Sequence, residues 1–395
     1  MYDLLIKECE VVDPAQGIHC TMDIAIKDGK IAALEKDIAQ PDAREVIILK
    51  GRIAMPGLID MHCHCAEGIV SFGVHADDIG LDSGVTLLCD GGSTGPANFY
   101  TMRKCVLDPS QTNTFCFLNL AATGLVNMPE IRNEHDWNLE QSRTIIAENR
   151  DLIKGVKVRA VRALAEGVGL TAIESAKKLA YNAKLPLVLH IGDGKDRVEN
   201  ECMDDFSREA VKLLEKGDIL THIMTWSAGG LILRDGTIYP EVWQARDRGV
   251  IFDACLGFSN FSIETAKLAL GQGFLPTVIS TDLTVRANLV VQSLAVAMSL
   301  FLNLGLSIDQ VVEMTTINPA KALGEQANRG SLKLGLPANI SVLELVQGDY
   351  LFSDGNGRSS IQGNLLLEPR LVINNGVPLP CRSRYHIPPV YQTIQ

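Results

Sequence analysis

Zinc-type cysteine pairs, an excess of basic charge and apolar runs long enough to span a membrane are all missing from this sequence. No CxxC occurs among its ten cysteines, and several of them sit inside apolar strand-like runs such as VTLLCD and TFCFLNL. A structural zinc site built on paired cysteines is therefore excluded, and scattered reduced thiols in a cytoplasmic protein fit better than a disulfide framework. Acids outnumber bases 47 to 36, for a net charge of −11. A surface of that sign repels nucleic acid and anionic membranes, so neither is expected as a partner. The opening MYDLLIKECE carries charges from its third residue and does not have the shape of a signal peptide. One apolar stretch, residues 289–308, is interrupted by Gln292, Ser293, Ser299, Asn303, Gly305 and Ser307. Polar groups at that density predict a buried helix lying on a sheet rather than a membrane span.

What is present is a long globular chain. Its 395 residues, 46% hydrophobic and 21% charged, exceed one ordinary core and fit one large α/β barrel plus a smaller domain. The first stretch reads as short strands, with Asp28-Gly29 as a hairpin turn between IAIK and KIAAL. The same texture returns near the C-terminus in ISVLELV and RLVINNGV, with Asn375-Gly376 as a second hairpin turn. Two distant segments of matching character predict one small β-sandwich domain, residues 1–54 with 331–395, interrupted by a domain over 55–330. Within that insert, apolar runs alternate with helical stretches: 54–61, 84–90, 114–120, 153–159, 186–190, 218–222, 249–253 and 277–282. The helix over 171–184 is expected to start on Thr171 as N-cap, with Glu174 three residues on. Eight such units predict a (β/α)8 TIM barrel in the α/β class, with an open doubly wound sheet as the alternative.

In a barrel, chemistry collects at the C-terminal ends of the strands. Here those ends carry His62 and His64, Asp90, Asn119, Lys157 and Arg159, His190, His222, Asp253 and Asp282, which include four of the chain's eight histidines. In DMHCHC (60–65), side chains alternate faces, so His62 and His64 point one way and Cys63 and Cys65 the other. The histidines have potential partners at other strand ends and the cysteines do not. We therefore read the histidines as metal ligands and Cys63 as core filler. Taken singly, His190 and His222 fit hydrogen-bonded structural histidines, and Asp282 fits a helix cap. Taken together, they converge on one mouth. His19, His135 and His386 read as surface residues, and His75 as either surface or pocket lining.

Lys157, in the apolar GVKVR, is electrostatically wrong beside a metal cluster if it is charged. As a buried free amine it can react with carbon dioxide to give an anionic carbamate able to bridge two cations. The plainer alternatives are a lysine reaching solvent or pairing with Asp90.

PGLIDMHCH (56–64), the single histidines at 190 and 222, STD (280–282), the N-terminal DIAIKDGKIAAL and TTINPAKALG (315–324) together resemble the amidohydrolase superfamily over nearly the whole chain. SGVTLLCDGGSTGPANF and GVKVR resemble its deacetylase/dihydroorotase-like branch. The resemblance implies two divalent metals, zinc first with manganese or iron as alternatives. His62, His64 and Asp282 would hold one, His190 and His222 the other, and carboxylated Lys157 would bridge them. It further implies attack by metal-bound hydroxide, with Asp282 shuttling the proton. Arg159, two residues beyond Lys157, suits a substrate carboxylate or a structural ion pair. The GGSTGP loop, with Ser93, offers donors near the mouth or is simply a tight turn.

One position departs from the branch pattern D-x-G-H-G. The chain reads Asp253-Ala254-Cys255-Leu256-Gly257, so Leu256 stands at the histidine position. The metal ligands are untouched; substrate contacts and leaving-group handling are what this bears on. The expected activity is cleavage of an acyl amide or ester of a small, carboxylate-bearing acid. The alternative is opening of a ring amide, as by a dihydroorotase or hydantoinase. A catalytically silent barrel serving as an assembly subunit is a third class, disfavoured because every ligand is present. Homo-oligomerisation suits apolar outer helices, with no subunit number fixed.

Overall fold

The computed structural model describes residues 1–194, 201–287, 290–355 and 357–381. His386, read above as a surface residue, and Leu289, at the head of the apolar stretch, lie outside the described residues.

Five strands open the chain: β1 (Tyr2–Asp13), β2 (Ile18–Lys27), β3 (Lys30–Glu35), β4 (Ala43–Ile48) and β5 (Ile53–Pro56). Seven follow: β6 (Leu58–Cys63), β7 (Val85–Asp90), β8 (Asn113–Asn119), β9 (Ile153–Ala160), β10 (Leu187–Ile191), β11 (Ile219–Thr221) and β12 (Ile251–Asp253). Three more come last: β13 (Ile340–Ser353), β14 (Ser360–Asn374) and β15 (Val377–Pro380). The β2–β3 and β14–β15 turns are made by Asp28-Gly29 and Asn375-Gly376. All four residues have positive φ (51°, 70°, 49° and 87°), as a two-residue hairpin turn that matches strand twist requires.

Two sheets result. The mixed sheet runs β15-β14-β13-β5-β1-β2-β3, with β4 beside β1. The antiparallel β13–β5 pairing is where the two ends of the chain meet. Alternate residues of β1 and β2 serve opposite faces. Leu4, Ile6, Ile24 and Ile26 pack with Ile340, Val342 and Ile373, whereas Leu5 and Ala25 pack with Ala33 and Ile38.

The second sheet is wholly parallel, in sequence order from β6 to β12, and curled. Both faces are covered, so every residue of β6 and β7 is buried. The expected eighth strand, 277–282, is not a regular strand, but its backbone still bonds to both ends of the sheet. On one side Val278 N donates to Phe252 O, and Leu256 N and Gly257 N donate to Ser280 O and Thr281 O. On the other, Asp282 N donates to His62 O (2.7 Å) and His64 N donates to Leu283 O (2.9 Å). At Thr281 a side chain replaces the ladder: its N–H and hydroxyl both donate to the Asp60 carboxylate. That substitution breaks the regular pattern.

Two local expectations resolve differently. Thr171 is the first residue of helix Thr171–Ala183, not its cap. Leu170 before it already has near-helical angles, its carbonyl accepts from Glu174 N, and no side chain caps the end. The apolar stretch, by contrast, forms the buried helix Leu294–Asn303, capped by Ser293 and packed on β14. Its polar residues bond across that contact. Ser299 Oγ accepts from Leu367 N, Asn303 Nδ2 donates to Leu365 O, and Asn303 Oδ1 accepts from Asn364 N. No helix among the described residues is long and apolar enough to cross a membrane.

Asn303→Leu therefore strips hydrogen bonds from the contact between helix and strand. It is expected to lower the unfolding free energy by about 1–3 kcal/mol, read as a lower denaturant midpoint with an unchanged slope.

Candidate metal centre

His62 and His64 leave β6 where it bulges. Register slips between Asp60 and Cys63. Below the bulge, Ile59 and Met61 face an interior shared with Leu87, Cys89, Phe117, Val188, Ile219 and Val278. Above it, His62 and His64 turn to the mouth, and Cys63 and Cys65 join the core under the helices. Gly91 makes room for them: a Cβ there would lie 2.3 Å from the His62 ring.

The predicted residues come together. His62, His64, Lys157, Arg159, His190 and Asp282 line one cavity of about 730 Å³, within the range of small-molecule sites. His222 lies beside it, its ring centroid 4.3 Å from that of His190 and 5.4 Å from that of His62. Lys157 Nζ approaches His62 Nε2 at 3.2 Å and does not pair with Asp90. Asp282 Oδ1 is 3.0 Å from His64 Nε2 and 3.8 Å from His62 Nε2, and Asn260 Nδ2 donates to Asp282 Oδ2. One donor atom each from His62, His222, Cys255 and Asp282 lies within 4.8 Å of every other.

Each ring is held by a partner at one nitrogen. His222 Nδ1 donates to Cys255 O (2.9 Å), His190 Nε2 donates to Gly192 O (3.0 Å), and His62 Nδ1 meets Thr221 Oγ1 (3.2 Å). The two carbonyls fix the tautomers of His222 and His190 and leave the other nitrogen toward the site, the usual support for a metal-ligating imidazole. Burial pushes the imidazolium forms of His62 and His190 well below their ordinary range, and that of His222 down to about 3. Burial likewise pushes Lys157 down to about 8, against the pull of Cys255 and Asp282. For Asp282, burial favours the neutral acid, but the hydrogen bond from His64 and the nearby imidazoles outweigh it and hold the carboxyl far below its usual range.

Ser93 is placed differently from the sequence reading. It is fully buried beneath the site, with its hydroxyl donating to Asp90 Oδ2 and its oxygen facing His64 Nδ1 at 2.8 Å, so it orients His64 instead of lining the cavity. With Nδ1 committed as the donor to Ser93, His64 Nε2 facing Asp282 Oδ1 must hold either a proton or a cation between them. The donor set, imidazoles with one carboxylate, therefore fits a divalent metal of the zinc type.

Other strand-end polar residues are scaffolding. Asp90 accepts from Cys65 N, Gly92 N and Ser93 N; Asp253 accepts from Ser280 Oγ and Cys255 N; Asn119 donates to Gly92 O. Burial raises Asp60 to about 7 and Asp253 to about 6. His19 and His135 are exposed, the former between Glu10 and Asp309. His75 is exposed and outside the cavity.

Sequence reasoning missed Asn260, Arg286 and Cys255. The first two lie in loops without periodicity, on the cavity wall. Cys255 carried a usable signal, a ligand-type residue two positions beyond the end of β12.

Imidazoles, a buried lysine and a carboxylate gathered at the C-terminal rim of a curled parallel sheet define a metallohydrolase of the TIM-barrel-like kind. The chain belongs to the amidohydrolase family, whose model matches residues 53–376. It is 33% identical over 358 residues to a protein from Brucella anthropi named "Deacetylase", covering 89% of this chain and 86% of that one. Among solved structures it resembles a dihydroorotase (TM-score 0.84, 30% identity, 96% of this chain and 98% of that one). It also resembles an adenine deaminase (TM-score 0.86, 28% identity, 96% and 100%). The protein is thus a hydrolase acting on C–N bonds.

Gly91→Ala should push the His62 ring aside without unfolding the chain. Metal affinity measured by chelator competition is expected to fall about 10- to 100-fold while circular dichroism stays unchanged.

Proposed function

We propose that the protein is a binuclear metal-dependent hydrolase that removes an acyl group, as an amide or ester, from a small carboxylate-bearing substrate. The observation that carries this reading is the convergence of His62, His64, Lys157, His190, His222 and Asp282 around one cavity. In it, His62, His64 and Asp282 would hold one divalent ion and His190 and His222 the other, with Lys157, as its carbamate, supplying oxygen donors to both. The Lys157 amine, held at a depressed proton affinity, adds to carbon dioxide. An N–C bond forms, one proton leaves to solvent, and an anionic two-oxygen group replaces a cation that would repel metal.

Bound there, the ions would supply an acidified water and polarise the scissile carbonyl. Asp282, kept ionised by its neighbours and steadied by Asn260, accepts the proton of the attacking water and returns it to the leaving atom. Arg159 contacts Glu130 at 3.4 Å, yet its Nε is buried with no hydrogen-bond partner among the described residues. As the cationic side chain beside the cluster on the cavity wall, Arg159 supports a substrate carboxylate as its partner. Phe72 and Val285 give the cavity an apolar side for the rest of the substrate.

The same reading treats the parallel sheet with segment 278–283 as a (β/α)8 barrel over 55–330, and the mixed sheet as a small sandwich from both chain ends. The ten cysteines are all unpaired, which suits a reducing compartment such as the cytoplasm. Ring-amide opening is the second reading, supported by the likeness to a solved dihydroorotase.

Elemental analysis of protein purified without chelator is expected to give about two divalent ions per chain, falling to one or none in Lys157→Ala. No metal after reconstitution with bicarbonate and zinc or manganese would overturn the hydrolase mechanism. Arg159→Gln is expected to cost about 10- to 100-fold in kcat/KM on acetylated acids and little on their uncharged amide analogues. Equal losses on both would make Arg159 structural. Turnover of cyclic imides in place of acetylated acids would favour the second reading.

A further inference from the structure

Cys255 belongs to none of the six groups assigned above. It stands in the loop after β12, two residues past Asp253, and is fully buried. Its backbone is held in the left-handed region (φ 41°), where a non-glycine residue is uncommon. Two contacts hold it there: its N–H donates to Asp253 Oδ1 and its carbonyl accepts from His222 Nδ1. The side chain does not turn away into the helix layer as Cys63 and Cys65 do. Its sulfur joins a ligand nitrogen of His62, a ligand nitrogen of His222 and a carboxylate oxygen of Asp282, all within 4.8 Å of one another.

We propose that Cys255 is a sulfur ligand in the metal centre, a donor additional to the four histidines, Asp282 and the bridging lysine. The proposal rests on the metal-site reading above. His62 and His222 are assigned to different ions, and a donor this close to both can reach either. Ligation breaks the S–H bond: the proton leaves to solvent and the sulfur pair goes to the metal, with no change of oxidation state. Charge favours it. Two divalent ions bring four positive charges into a buried site where the imidazoles carry none. Asp282, the Lys157 carbamate and the buried Asp253, 3.7 Å from His62, offset three of them, and a thiolate offsets the fourth. The consequence is selectivity. Thiolate is a soft donor, so it biases this centre toward zinc over manganese or magnesium. The plain alternative is a small buried cysteine filling space beside His222.

The test is cobalt(II) substitution of the full-length protein followed by near-ultraviolet absorption, with Cys255→Ser and Cys255→Ala as comparisons. A sulfur-to-cobalt charge-transfer band in the wild type that disappears in both variants, with cobalt still bound and circular dichroism unchanged, is the expected result. X-ray absorption of the zinc form should agree, with a sulfur scatterer at about 2.3 Å. Cobalt bound without the band, or a band that survives in Cys255→Ala, overturns the sulfur ligand and leaves the hydrolase reading standing. A wild-type protein that binds no cobalt overturns both. If either variant fails to fold, the wild-type zinc spectrum decides alone: only nitrogen and oxygen scatterers would overturn the proposal.

Discussion

Closure of the parallel sheet is the constraint on which the site depends. Segment 278–283 is short and irregular, yet it bonds to β12 on one side and to β6 on the other. Thr281 hands two hydrogen bonds to Asp60, a carboxylate buried deeply enough that its proton affinity rises to about 7. One residue later Asp282 N reaches His62 O, and this delivers the Asp282 carboxylate to His64. His62 and Asp282, the first and last of the gathered side chains and more than two hundred residues apart, are set by one backbone contact.

A second layer of polar groups makes the first usable. Asp90 gathers three backbone N–H groups and the Ser93 hydroxyl, Ser93 turns His64, and the carbonyls of Cys255 and Gly192 turn His222 and His190. Burial keeps His62, His190 and His222 uncharged, the form in which imidazole binds metal. The scaffold commits one nitrogen of each ring and dries the other, so little reorganisation remains when a cation arrives.

Much of this was legible in the sequence, for physical reasons. Parallel strands buried on both faces leave apolar runs, and a hairpin turn needing positive φ leaves Asp-Gly or Asn-Gly. Ligands at strand ends leave His-x-His and lone histidines closing apolar runs. What was not legible depends on direction and not on residue type. Ser93, in a loop expected to offer donors near the mouth or to be a plain tight turn, lies beneath the mouth. Thr171 was read as a cap and is one residue inside its helix. The bulge that turns His62 to the mouth, and the Asp60 contacts that stand in for a regular eighth strand, have no local signature. Asn260 and Arg286 reach the cavity from loops whose course no periodicity records.

Three residues around the centre, His222, Cys255 and Asp282, share left-handed backbone (φ 66°, 41° and 50°). Each such conformation costs an L-residue with a Cβ about 1–2 kcal/mol, so the rim stores a conformational debt that only its chemistry justifies. A lineage that abandoned the reaction would gain stability by drifting to glycine or asparagine at these three positions. Among descendants of this fold, that drift would be an evolutionary mark of retirement, separate from the loss of any single ligand.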